Sequence, residues 1–168
     1  VRDVFSSMDG DWLHSAPKSY VVEYDPTTHA QKRMAEAPCP SLSIATADET
    51  GRVYYGTYGY SPVPALYGIG PKPCVARFDA DMKLDAAFTT DLTAQTGGRY
   101  HTNFRYLKKG FAIAGVLYHE LFTPKFDYAS GVVDPKIWDE LYREDVWKLW
   151  VFDLNAGTAH EVPGVAGG

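Results

Sequence analysis

The chain has 168 residues, 45% of them apolar and 14% aromatic, which is ample for a packed core and excludes a disordered polypeptide. A formal net charge of -5 supplies no basic face for nucleic acid, and no apolar stretch nears the ~20 residues that span a bilayer as a helix. With 12 tyrosines, 15 glycines and 11 prolines, the composition suits short strands joined by turns rather than long helices.

In chain order, the first clear strand is Tyr20-Val21-Val22-Glu23-Tyr24, closed by Asp25. Nothing near Val1 has the charged-then-apolar form of an export signal, and the chain reads as a processed or truncated piece of something longer. A strand near Leu42–Ala47 meets the turn Asp48-Glu49-Thr50-Gly51, and Arg52–Tyr58 returns antiparallel to it. A Pro/Gly-rich loop, Tyr60 to Pro73, leads to a third strand at Cys74–Phe78, a turn at Asp79-Ala80-Asp81 and an outer strand at Phe88–Leu92. The next unit starts with Arg99–Leu107, turns at Lys108-Lys109-Gly110, returns along Phe111–Tyr118 and resumes at Lys148–Phe152. Residues 119–147 form an insertion carrying a short helix. Asp134 is its N-cap, Pro135 its first residue, and Ile137, Trp138, Leu141 and Tyr142 its apolar face. Gly164 to Gly168 trail off in small residues.

Two patterns recur along this order. Tyr24-Asp25, Phe78-Asp79 and Phe152-Asp153 each close an apolar strand, and each aspartate is placed to open a turn. Gly51-Arg52-Val53-Tyr54-Tyr55-Gly56 and Gly110-Phe111-Ala112-Ile113-Ala114-Gly115 share glycines at one offset and an apolar centre. Asp25 and Asp79 lie 54 residues apart, Gly51 and Gly110 59, and Asp79 and Asp153 74, the excess falling in the insertion. Strand units recurring at this spacing indicate an all-β partial β-propeller of two to three four-stranded antiparallel blades with one short helical insertion. Residues 1–38 would end one blade, 39–95 form a second and 96–168 a third. An incomplete ring exposes blade faces, so self-association is expected.

Strand alternation in Arg99-Tyr100-His101-Thr102-Asn103-Phe104-Arg105 puts Arg99, His101, Asn103 and Arg105 on one face. On the first strand of a blade this row would line the central channel. Two fixed cations, an imidazole and an amide then form a site for an anionic, oxygen-rich ligand, or else they pair with carboxylates and water there. Tyr60 and Tyr67, in the apolar loop, would add aromatic contact area. His101, His119 and Glu120 are of types that bind transition metals and would form the site if a divalent ion were the cofactor. Cys39 and Cys74, each beside proline, read either as a disulfide or as two separate thiols.

Gly-rich phosphate loops, a helical His-Glu-x-x-His, a nucleophile elbow and zinc-type cysteine pairs are all missing from the sequence. Asp48-Glu49-Thr50-Gly51-Arg52-Val53-Tyr54-Tyr55-Gly56, Gly97-Gly98-Arg99-Tyr100-His101-Thr102 and Trp150-Val151-Phe152-Asp153-Leu154-Asn155-Ala156-Gly157 resemble bacterial cell-envelope β-propeller proteins associated with siderophore uptake, such as the myxochelin-associated kind. The motifs are general to propellers, and the chain is shorter than the family pattern. The resemblance implies a parent of six to eight blades, exported to the periplasm or cell exterior, with a binding role and no catalytic residues to carry over. The expected function is therefore binding of a small anionic ligand, an anionic iron-siderophore included, or of an envelope protein, without a cofactor. The alternatives are a metal-assisted lyase or hydrolase built on a propeller, and a purely structural or protein-interaction propeller.

Overall fold

A computed structural model describes residues 2–5, 18–59, 62–66, 68, 70–88, 91–121 and 143–167. Its strands are β1 (Arg2–Phe5), β2 (Ser19–Tyr24), β3 (Gln31–Ala37), β4 (Leu42–Ala47), β5 (Val53–Thr57), β6 (Val75–Phe78), β7 (His101–Lys108), β8 (Phe111–Leu117), β9 (Trp147–Asp153) and β10 (Thr158–Ala166). Among the described residues they form three open antiparallel sheets, ordered β1-β2-β3, β4-β5-β6 and β7-β8-β9-β10, so each sheet is a meander of consecutive strands. The fold is all-β, as the composition predicts.

Turn chemistry sets where strands reverse. Asp25 accepts hydrogen bonds from the Thr27 and Thr28 amides, Asp79 from those of Asp81 and Lys83, and Asp153 from those of Asn155 and Ala156. The recurrent aspartates are thus turn formers. Gly51 and Gly110 take φ of +83° and +86°, a conformation that side chains disfavour. At the first of these turns the Asp48 carboxylate is itself buried, 1% exposed. Burial raises its pKa, but hydrogen bonds from the Thr50 hydroxyl and amide and from Arg52 outweigh that and hold it at about 2.

The sheets stack in layers, and the middle one is covered on both faces. Alternation along β5 sends Tyr55 one way, into a cluster with Val21 and Ala37 of the first sheet and with Phe78. Tyr54 goes the other way, into a cluster with Phe104, Tyr106, Ala112, Ala114 and Phe152 of the third sheet. Its ring stacks on Tyr106 at 5.0 Å and meets Phe88 edge-on at 5.5 Å. At Gly56 the third sheet comes so close that a Cβ would lie 2.9 Å from the Cβ of Phe104. First and second sheets are also joined covalently, because Cys39 and Cys74 form a disulfide across 35 positions of sequence.

Several expectations change here. The outer strand expected at Phe88–Leu92 is not formed at the described residues Phe88, Asp91 and Leu92. Phe78 pairs with Leu84 through one isolated bridge instead. Asp85 then accepts from Arg77 and from the Ala87 amide, Asp91 accepts from Thr93, and these local bonds replace a ladder. Leu92 drops into the core, 1% exposed. The end of the chain does not trail off: β10 runs to Ala166, and Gly167 donates its amide to the Trp147 carbonyl. The loop after Tyr58 contains a single helical turn, Pro62–Leu66. The helix expected between Asp134 and Tyr142 lies outside the described residues, as do Tyr60 and Tyr67.

Candidate ligand site

The segment that carries the candidate site is the start of the third sheet. Gly97 and Gly98, at φ +66° and +85°, turn the chain into β7, and the Thr96 hydroxyl donates to the Arg99 carbonyl. From there a strict two-residue alternation would keep Arg99, His101, Asn103 and Arg105 in one row. It fails at Asn103, which adopts φ +56°, and the pairing of β7 with β8 shifts register between Thr102 and Arg105. This is a β-bulge, and it divides the row in two.

Upstream of the bulge neither Arg99, which is paired, nor His101, which is buried, is open to a ligand. Arg99 donates through Nε to Glu120 at 3.0 Å and through Nη2 at 2.5 Å, with its guanidinium 4.2 Å above the Tyr118 ring. The pairing pulls the Glu120 carboxyl below the ordinary carboxylate range and pushes the Arg99 guanidinium up. His119 lies 3.7 Å from the same carboxylate, at the surface. His101 points the other way, into the core, with its ring 6.5 Å from that of Phe152. It is fully buried, and neither ring nitrogen has a partner among the described residues. Burial drives its pKa down to about 4 against the opposing charge of Asp91, so the imidazole is neutral at pH 7. His101, expected beside His119 and Glu120, is therefore on the core side while those two are on the rim. Among the described residues no group of three His, Cys, Asp or Glu side chains is placed to hold a metal ion.

Downstream of the bulge the groups remain available. The Gly59 amide donates to Asn103 Oδ1 at 3.4 Å. Arg105 is exposed and has no partner among the described residues. Both line a cavity of about 270 Å³, whose other walls include Ile44 of β4, Tyr58, Ile113 of β8 and Leu149 of β9. An exposed cation and an amide at the mouth of an apolar hollow can hold an anion whose remainder is hydrophobic. Tyr58, Ile44, Ile113 and Leu149 were not identified from sequence. The one available signal was the glycine-bounded repeat, which puts Ile113 in register with Tyr54.

Compared with protein-family models, with curated proteins and with solved structures, the chain matches none of them.

Proposed function

We propose that the three sheets are successive blades of a β-propeller-type stack and that the protein binds a small anionic ligand at the Asn103–Arg105 cavity without transforming it. Two features support the blade reading. Each sheet is a meander, and β4 and β7, the first strands of neighbouring sheets, lie side by side, with the Tyr106 amide donating to Thr46 Oγ1 at 2.8 Å. The single observation that carries the binding reading is Arg105, an exposed guanidinium without a carboxylate partner among the described residues, set at the edge of an apolar hollow. A hollow of about 270 Å³ takes one ring or carboxylate group of a ligand rather than a large one. An anionic iron chelate with catecholate or carboxylate oxygens fits that chemistry. The Cys39–Cys74 disulfide supports a periplasmic or extracellular setting, where such bonds persist.

The test is isothermal titration of the chain with ferric catecholate and, separately, with citrate. Losing a charge-assisted contact worth about 1.5–3 kcal/mol should weaken binding roughly 10- to 100-fold in Arg105→Ala. Arg99→Ala should change it less than about threefold, since that charge is already committed to Glu120. Equal binding by wild type and Arg105→Ala, or no binding of either probe, overturns the site.

A further inference from the structure

One end of the middle sheet, the end beside the ligand cavity, is fastened more heavily than strand pairing requires. Cys39, in the connection from β3 to β4, is bonded to Cys74, the residue before β6, and the two are 0% and 8% exposed. Two buried hydroxyls satisfy the backbone around this bridge. Ser19 of β2 donates to the Cys39 carbonyl at 2.8 Å and accepts from the Leu42 amide at 3.2 Å. The Thr57 hydroxyl of β5 stands 3.0 Å from both the Pro40 and the Cys74 carbonyl, and accepts from the Cys74 amide at 3.0 Å. Buried polar groups without such partners would destabilise the fold, so connection and bridge are held as one unit.

The bridge reaches the cavity through the end of the β4–β5 pair. Leu42 is paired with Thr57, and just beyond them the Tyr58 amide donates to the Ser41 carbonyl at 3.0 Å. Ser41 takes φ +45°, in the left-handed region, which a residue with a side chain leaves unless its surroundings hold it there. It lies on the short tether between the bridged Cys39 and the start of β4. Next along the chain, the Gly59 amide donates to Asn103 Oδ1. Tyr58 and Asn103 both line the cavity, as does Ile44 of β4. Without the bridge Ser41 is free to relax towards negative φ, which turns its carbonyl away from the Tyr58 amide.

We propose that the Cys39–Cys74 bond is a positioning element of the ligand cavity: by keeping Ser41 left-handed it holds the Tyr58–Gly59 wall, and through it Asn103, in place for an anion. Its effect on binding rests on the ligand reading above, whereas its hold on the wall does not. A dithiol reductant undoes that hold. Two electrons and two protons pass to the bridge, giving the Cys39 and Cys74 thiols, while the dithiol closes to its cyclic disulfide. The cavity is therefore redox-sensitive, with the bridged form the tighter binder.

Wild type and the double variant Cys39→Ala with Cys74→Ala are compared by backbone amide relaxation and by titration with citrate and with ferric catecholate. In wild type the Tyr58 and Gly59 amides should show order parameters of about 0.85, falling below about 0.6 in the variant, while Ala112 and Ala114 of β8 stay rigid. Whichever probe wild type binds should bind the variant at least about tenfold more weakly, because the wall is no longer preorganised. Both quantities are read on folded molecules, so a bridge that only raises global stability moves neither. An unchanged Tyr58–Gly59 segment overturns the proposal, and so does a loosened one with unchanged affinity. Wild type that binds neither probe refutes the ligand site instead, and the order parameters alone then decide the hold on the wall. Should the double variant fail to fold, Ser41→Pro keeps the bridge but fixes φ at about −65°. Rigid Tyr58 and Gly59 amides in that variant overturn the proposal.

Discussion

The middle and last sheets are built on the same sequence pattern yet have different energetic standing. In β4–β6, Tyr54 and Tyr55 are adjacent in sequence and both 2% exposed, because a sheet lies on either side. In β7–β10, Ala112 and Ala114 are buried against the middle sheet, while Ile113 between them is only half-covered. An apolar residue in a strand thus contributes according to what the neighbouring layer brings to it. Residue type alone sets only the upper limit of that contribution.

Glycine replacement should give the largest losses, in both sheets alike. Gly56→Val puts side-chain atoms where the backbone and Cβ of Phe104 already are, and should cost about 3 kcal/mol or more. Gly115→Val drives its Cβ into the backbone carbonyl of Gly167, whose amide is bonded to Trp147, and should cost about 3 kcal/mol or more as well. Guanidinium denaturation of the two variants reads both losses, and a loss well under about 1 kcal/mol in either would overturn the close approach there. Truncation comes next. Phe104→Ala, fully buried between the sheets, should lose about 3–5 kcal/mol, and Ile113→Ala on the open face only about 1.

A pH dependence should arise on the covered side of the last sheet. The folded pKa of His101, about 4, lies below the ordinary 6.5, so folding is favoured by the neutral imidazole. That contribution is fully present above pH 6.5, where the unfolded chain is neutral too. It is lost progressively as pH falls towards 4, because only the unfolded state takes up the proton. Between pH 7 and pH 5 the loss should be about 2 kcal/mol. Denaturation midpoints of wild type and His101→Leu at the two pH values check this, and an equal pH dependence in both would remove His101 as the cause.

Much of the chain could be read without coordinates because its signals are local. Turn aspartates bond to amides two to four residues away, and Gly51 and Gly110 supply a backbone conformation that needs no distant partner. Strand alternation likewise places β5 and β8 from the pattern alone. The strand expected at Phe88–Leu92 was lost to a competition of similar local bonds, Arg77 to Asp85 and Thr93 to Asp91, which the apolar run did not reveal. The candidate site was half legible. Arg105 and Asn103 stand out by type, but the bulge at Asn103 that parts them from Arg99 and His101 leaves no mark in the sequence.

By itself the sequence determined an all-β chain of short antiparallel units, their turns and most of their strands, because hydrogen bonding and φ preference act over a few residues. Tertiary structure decided which faces are covered and that Cys39 meets Cys74. It also decided that His101 is buried while Arg105 stays free among the described residues. Those outcomes depend on how layers approach one another across 35 or more residues, and no local preference encodes that distance.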